Sequence, residues 1–308
     1  MTRGLVPSLL CLLAPWSAFA AGLKPASVTA SSSYPPEDGT SYDASQVIDG
    51  KASTSWVEGD PGNGLGAWVE FDLGGAKTIT RLRVWGAIWY STDFWERAGR
   101  PKELELKFAD GSTVKMPMSD EMKPQDFTLP KPTSTTSLRV RISAAYNGTT
   151  WSDTAISEIQ VFDAATTGPS VAAVTASSEA PADADGYYYA SNVVDGLPDT
   201  MWCEGNKASD GTGEHLEIRF SGSQAISKVT VVNGIGGSLA AWMKGNRTTA
   251  ALLTFSDGGS ERVTIKNSML PQVISFPSHT TSSVKVTFET IVKGKEYDDL
   301  CISEAYFE

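Results

Sequence analysis

Asp49 and Thr54 flank an Asp-Gly turn, and Asp195 and Thr200 repeat that spacing further along the chain. Each set is followed much later by an Ile-Ser-Glu run, which adds Glu158 to the first set and Glu304 to the second. Carboxylates and a hydroxyl on a bent loop are the donors a hard cation such as calcium takes. Calcium wants about six to eight oxygens, with backbone carbonyls making up the number. Asp49, Thr54, Glu158, Asp195, Thr200 and Glu304 are therefore candidate metal ligands, provided each late Glu returns to its turn. The competing reading is that Asp caps the turn, Thr satisfies local backbone groups and Glu accepts a buried hydrogen bond.

A second constellation is aromatic and basic. Residues 85–100 carry Trp89, Tyr90, Trp95, Arg97 and Arg100. The corresponding stretch, residues 233–247, carries Asn233, Trp242, Asn246 and Arg247. Flat aromatic surfaces with a few fixed donors suit a ligand that has an apolar C–H face and a ring of hydroxyls, as a sugar has. The alternative is that the tryptophans staple the loop to the body of the protein and the arginines pair with acids such as Glu58. The two stretches differ from each other more than any other part of the repeat. That points to different ligands, or to one binding copy and one structural copy.

Nucleophilic, phosphate-binding and zinc-hydrolase signatures are lacking: there is no Gly-x-Ser-x-Gly elbow, no phosphate-cradling glycine loop and no His-Glu-x-x-His. No enzyme is expected. A polysaccharide-active hydrolase using paired carboxylates is the weakest of three readings, behind a carbohydrate binder and a cell-surface adhesive or structural module that binds protein.

The elements that position these residues are legible from a tandem repeat. Val28-Thr-Ala-Ser-Ser recurs as Val174-Thr-Ala-Ser-Ser, and Ala44-Ser-Gln-Val-Ile-Asp-Gly as Ala190-Ser-Asn-Val-Val-Asp-Gly. Trp56 and Trp202 follow at matched offsets and are expected to anchor the preceding loop in the core. Segments such as Trp68-Val-Glu-Phe-Asp-Leu alternate apolar and polar residues, the pattern of a half-buried strand. Asp110-Gly111 and Asp257-Gly258 lie between two such runs and read as hairpin turns. Each copy is thus an all-β unit large enough to own a core, most simply a sandwich.

Cys203 and Cys301 fall in the second copy at the positions of Val57 and Ala155 in the first. Replacement of both members of one pair suits a disulfide between an early loop and the closing strand. Two separate buried thiols are the alternative.

The chain has 308 residues and a net charge of −11, with 41% hydrophobic residues. Its length fits about two domains, and its acidity excludes a basic nucleic-acid face. Residues 1–20 combine Arg3, an apolar run from Leu5 to Leu13 and Ala18-Phe19-Ala20, and read as a secretory signal peptide. No transmembrane segment is expected in the mature chain, which is expected to be exported to the periplasm, the cell surface or the medium. Residues 22–163 then form sandwich 1, residues 164–170 a small polar linker and residues 171–308 sandwich 2.

The ordered set Ala-Ser…Val-x-Asp-Gly…Thr-x-Trp-x-Glu-Gly, Phe-x-Asp-Gly and closing Ile-Ser-Glu resembles the discoidin, or coagulation-factor 5/8 type C, superfamily. Within it, both copies resemble the bacterial NADase-type glycan-binding domains. The resemblance implies a galactose-binding-like jelly roll whose tip loops bind a glycan or polysaccharide, with structural calcium common in related modules. The NADase of that name belongs to a partner domain in some toxins, and no part of this chain resembles it.

Overall fold

The computed structural model describes residues 22–163, 169, 171–183 and 186–308. The expected signal peptide and nearly all of the expected linker lie outside these residues. The first copy comprises β1 (Ser27–Ala30), β2 (Trp56–Val57), β3 (Trp68–Gly86), α1 (Thr92–Arg97), β4 (Arg100–Phe108), β5 (Thr113–Pro117), β6 (Gln125–Tyr146) and β7 (Ala155–Asp163). The second comprises β8 (Val171–Ala176), β9 (Trp202–Cys203), β10 (His215–Asn233), α2 (Leu239–Trp242), β11 (Arg247–Phe255), β12 (Ser260–Thr264), β13 (Gln272–Val292) and β14 (Cys301–Phe307). A five-residue 3-10 turn, Ala44–Ile48 or Ala190–Val194, precedes each Asp-Gly.

Strand order is β2-β7-β3-β6-β4-β5 with β1 on β3, and the second copy repeats it as β9-β14-β10-β13-β11-β12 with β8 on β10. All of these pairings are antiparallel, giving two tandem jelly-roll domains. The long strand β3 serves both layers. Its first half pairs with β1 and its second with β7, while β6 follows it throughout except for register breaks between Asp72 and Lys77 and between Ile79 and Arg81. Gly74 and Gly75 sit in the first of these at φ of 67° and 141°, a bend that a side-chain-bearing residue would strain.

Alternation directs one face of each strand inward. Val69, Phe71 and Leu73 on β3 meet Leu104, Leu106, Leu138, Val140 and Ile142 in the first core. Leu216, Ile218 and Phe220 do the same in the second. Trp56 and Trp202 are fully buried, and their indole N–H groups donate to the carbonyls of Ser32 and Ser178, both at 2.9 Å. Each therefore ties its preceding loop to the core, as its repeated position predicts.

The two copies also pack against each other. Ala52, Trp85, Trp89 and Met122 of the first form a buried cluster with Leu197 of the second, flanked by Trp95 and Tyr187. Hydrogen bonds surround it. The Asp199 carboxylate accepts from the amides of Ala52 (3.3 Å) and Ser53 (3.2 Å), and Arg83 donates to the Val194 carbonyl at 3.1 Å. Gln160 Nε2 donates to the Asp195 carbonyl at 3.0 Å.

Candidate functional site

A cleft of about 540 Å³ opens at one end of the first sandwich. Four loops build it: the β1 exit (Tyr34, Glu37, Asp38, Tyr42), the segment before β2 (Ser53–Ser55), the β3–β4 connection with α1 (Tyr90, Phe94) and the β6–β7 connection (Trp151, Asp153). Ser91 caps α1 by accepting from the Phe94 amide, which turns Tyr90 out and Phe94 toward Trp151. The rings brace one another: Tyr90–Phe94 and Phe94–Trp151 centroids lie 5.4 Å apart, and Tyr34–Tyr42 lie 5.8 Å apart. Tyr90 remains 64% exposed and Tyr34 37%, so their ring faces are available to a ligand. Glu37 and Thr40 form a short bridge whose turn holds Asp38 and Gly39 at positive φ, projecting two acids at the rim. Burial, followed by the charge of Glu37, the Tyr34 ring hydroxyl and Asp38, raises the Tyr42 hydroxyl above its ordinary pKa. Burial likewise raises the Asp153 carboxyl.

Of the nine residues expected to contact ligand, Tyr90 alone lines this cleft. Trp89 is buried in the packing between the copies, its N–H on the Gly86 carbonyl at 2.8 Å. Trp95 is half-buried beneath the Arg100 guanidinium, 4.6 Å from the ring centre, and Arg100 also pairs with Asp120. Arg97 lies 4.1 Å from the centre of the Trp151 ring and pairs with Asp93 at 3.1 Å. In the second copy, Trp242 sits beneath Arg247 at 4.3 Å and donates to the Asn233 carbonyl at 2.7 Å. Arg247 bonds Asn267 Oδ1 at 2.9 Å. Asn233 is fully buried, its amide exchanging bonds with the Thr248 backbone at 2.8 and 3.1 Å. Asn246, equally buried, accepts from the Gly294 amide at 2.8 Å and donates to the Asp210 carbonyl at 3.1 Å. These placements correct the expectation for Trp89, Asn233, Asn246 and Arg247: side chains already saturated by their own fold have little left to offer a ligand. The repeated Trp–Arg stack is a staple, the alternative stated above, with Asp120 rather than Glu58 as the acid for Arg100.

Sequence reasoning missed Tyr34 and Phe94 because neither recurs, and passed over Tyr42 and Trp151, whose counterparts are Tyr188 and Tyr297. The matched bonds Tyr34 N to Val57 O and Ala180 N to Cys203 O align Tyr34 with Ala180. The caps Ser91 and Ser238 align Tyr90 with Gly237 and Phe94 with Ala241. Trp151 aligns with Tyr297 through bonds to Arg97 and Lys244. Contrast between copies, rather than similarity, was the available signal.

The acidic constellations do assemble. Thr54 Oγ1 donates to Asp49 at 2.8 Å, and Glu158 Oε2 accepts from the Gly50 amide at 3.2 Å. Thr200 Oγ1 donates to Asp195 at 2.7 Å, and Glu304 stands beside Asp195 with both carboxylate oxygens buried and without a hydrogen-bond donor in good geometry. Burial first, then the neighbouring Asp charges, raises Glu158 and Glu304 well above the ordinary carboxylate range, and burial lifts Asp195 to about 7. The two constellations lie at the packing between copies, where Asp199 adds negative charge to both and Arg83 opposes it in the second. Orphaned, buried carboxylate oxygens fit a hard cation in donor type. Among the described residues, however, no three acids, histidines or cysteines cluster to form a shell by side chains alone, so backbone carbonyls would have to complete it.

Cys203 and Cys301 form a disulfide. They sit directly opposite each other in the β9–β14 ladder, in the register that pairs Val57 with Ala155 in the β2–β7 ladder.

Two antiparallel jelly rolls with their variable loops gathered at the sandwich ends define a discoidin-like, F5/8 type C protein. The family described as NAD glycohydrolase translocation F5/8 type C domain matches residues 19–162 and 165–308, and the chain belongs to it in two copies. No curated protein matches the chain. Among solved structures, it is similar to the CBM32-1 and CBM32-2 domains of Clostridium perfringens ZmpB in complex with GalNAc, at 11% identity over 91% of this chain and 89% of that one, TM-score 0.35. It is similar to a fucolectin from Morone saxatilis (striped bass) serum at 12% identity over 94% and 96%, TM-score 0.33. It is also similar to the arabinofuranosyltransferase AftD from Mycobacteria at 16% identity, TM-score 0.34; the match covers 91% of this chain but 28% of the transferase. The family assignment rests on the family match and not on these likenesses.

Proposed function

We propose that the protein is an exported carbohydrate-binding protein that holds its ligand in the loop-tip cleft of the first domain and does no chemistry on it. The cleft itself carries this reading. Its volume of about 540 Å³ lies in the range of small-ligand sites, and it joins exposed aromatic faces to hydroxyls and carboxylates. Sugar rings stack by their C–H faces and hydrogen-bond by their edges, which this surface answers on both counts. The second domain, lacking three of the equivalent aromatics, acts as a brace. Calcium is proposed as a structural ion, held in the second copy by Asp195, Thr200 and Glu304 and in the first by Asp49, Thr54 and Glu158. It would offset buried carboxylate charge and stiffen the turns.

A glycan array probed with the mature chain (Ala21–Glu308), with and without EDTA, tests the reading. Saturable binding that free sugar displaces and that Tyr90→Ala with Trp151→Ala abolishes is the expected result. A blank array from folded protein overturns it. Titration of calcium into EDTA-treated protein tests the ion: no heat and no rise in melting temperature removes it.

A further inference from the structure

The cleft is acidic as well as aromatic. Glu37, Asp38 and Asp153 line it, while among the described residues no lysine, arginine or histidine does. Among the described residues, none of these three carboxylates is in an ion pair. The Arg97 guanidinium lies 4.1 Å over Trp151 and 5.5 Å over Phe94, and has its charge met by Asp93. A neutral sugar needs acceptors, but it does not need three unneutralised charges around one opening. Carboxylates also repel sulfated, phosphorylated and uronic glycans, and the chain's net charge of −11 adds to that repulsion at long range. Aromatic faces next to carboxylates are what an ammonium group prefers, because the ring quadrupole and the anionic rim act together. Resting on the glycan reading above, we propose that the ligand is a cationic amino sugar: a polymer of hexosamine whose amines are free rather than N-acetylated. Its ammonium sits among Glu37, Asp38 and Asp153, and its ring lies against the Tyr90–Phe94–Trp151 surface.

The test is calorimetric titration of the mature chain with hexaglucosamine, with its fully N-acetylated counterpart and with hexalysine, at low and at raised salt. Hexaglucosamine is expected to bind at least tenfold more tightly than the acetylated hexamer, one molecule per chain, with a margin that narrows in salt. Asp38→Asn with Asp153→Asn is expected to erase that margin. Asn tolerates the positive φ of 49° at position 38, so the turn survives, and an unchanged melting temperature verifies the fold. Equal or tighter binding of the acetylated hexamer overturns the amino-sugar assignment while leaving the glycan reading intact. Hexalysine binding as tightly as hexaglucosamine also overturns it, since charge alone would then suffice. Failure of both hexamers, together with a blank array, refutes the glycan reading itself.

Discussion

The first domain supplies a control for the disulfide of the second. Cys203→Val with Cys301→Ala installs the residues that stand in the same paired register at Val57 and Ala155. The folded ladder then has a precedent within the same chain, and the effect falls on the unfolded state. The cysteines are 98 residues apart. Freeing a loop of that size restores about 16 cal/mol/K of chain entropy, or about 4.7 kcal/mol at 25 °C, an upper value because unfolded chains keep some order. For a domain of this size about 4 kcal/mol corresponds to a fall of about 10–20 °C in the melting temperature. Scanning calorimetry of parent and variant, both without reductant, is the assay. The second-domain transition is expected to drop by that amount, and the first to move only through the loss of its packing partner. An unchanged scan, or equal loss in both transitions, refutes the argument that the bridge acts locally on the unfolded second domain.

Other expectations follow from the packing. Trp95→Ala is expected to lower stability by about 3 kcal/mol through loss of the Arg100 stack, with ligand affinity in the folded fraction changed less than threefold; calorimetry alongside binding separates the two effects. Leu197→Asp places a charge among Trp85, Trp89 and Met122, so the domains are expected to part while both stay folded. A red shift in tryptophan emission and a larger radius of gyration by small-angle scattering would report it, and unchanged scattering would sink it. Burial raises the Asp126 carboxyl, but Arg83 and Arg81 outweigh it and hold the group below its ordinary pKa. A depressed carboxyl contributes fully above its unfolded pKa of about 3.9 and loses that contribution as pH falls through the folded value. Asp126→Asn is therefore expected to cost about 1 kcal/mol at pH 6 and progressively less as pH falls below about 3.9, read by urea titrations across that range.

Much of the fold was legible because repetition marks what the scaffold requires. Trp56 and Trp202, the late glutamates and the Asp-Gly turns recur because both jelly rolls solve one packing problem. The cysteines were legible for the opposite reason, as a paired departure from Val57 and Ala155. Repetition gave no guide to the cleft. Trp95 with Arg100, and Trp242 with Arg247, recur since each stack holds its own loop down, while Tyr34 and Phe94 occur once and line the cleft. Asn233 and Asn246 read as donors in a list of residues, but only the folded chain shows Thr248, Asp210 and Gly294 already using them. The packing of Leu197 on Trp85 and Trp89 has no signature in the chain, since apolar residues at a turn look alike whether they face a core or another domain.

Docking the copies has a consequence for valency. A flexible tether lets two sites sample separations and bridge neighbouring ligands. Here Asp199, Arg83, Gln160 and the tryptophan cluster fasten the second domain beside the cleft of the first. Among the described residues, the body they make carries its aromatic mouth on the first domain. On the proposed glycan reading, such a protein would coat a surface and not crosslink two of them, and agglutination would require several chains gathered on a common support.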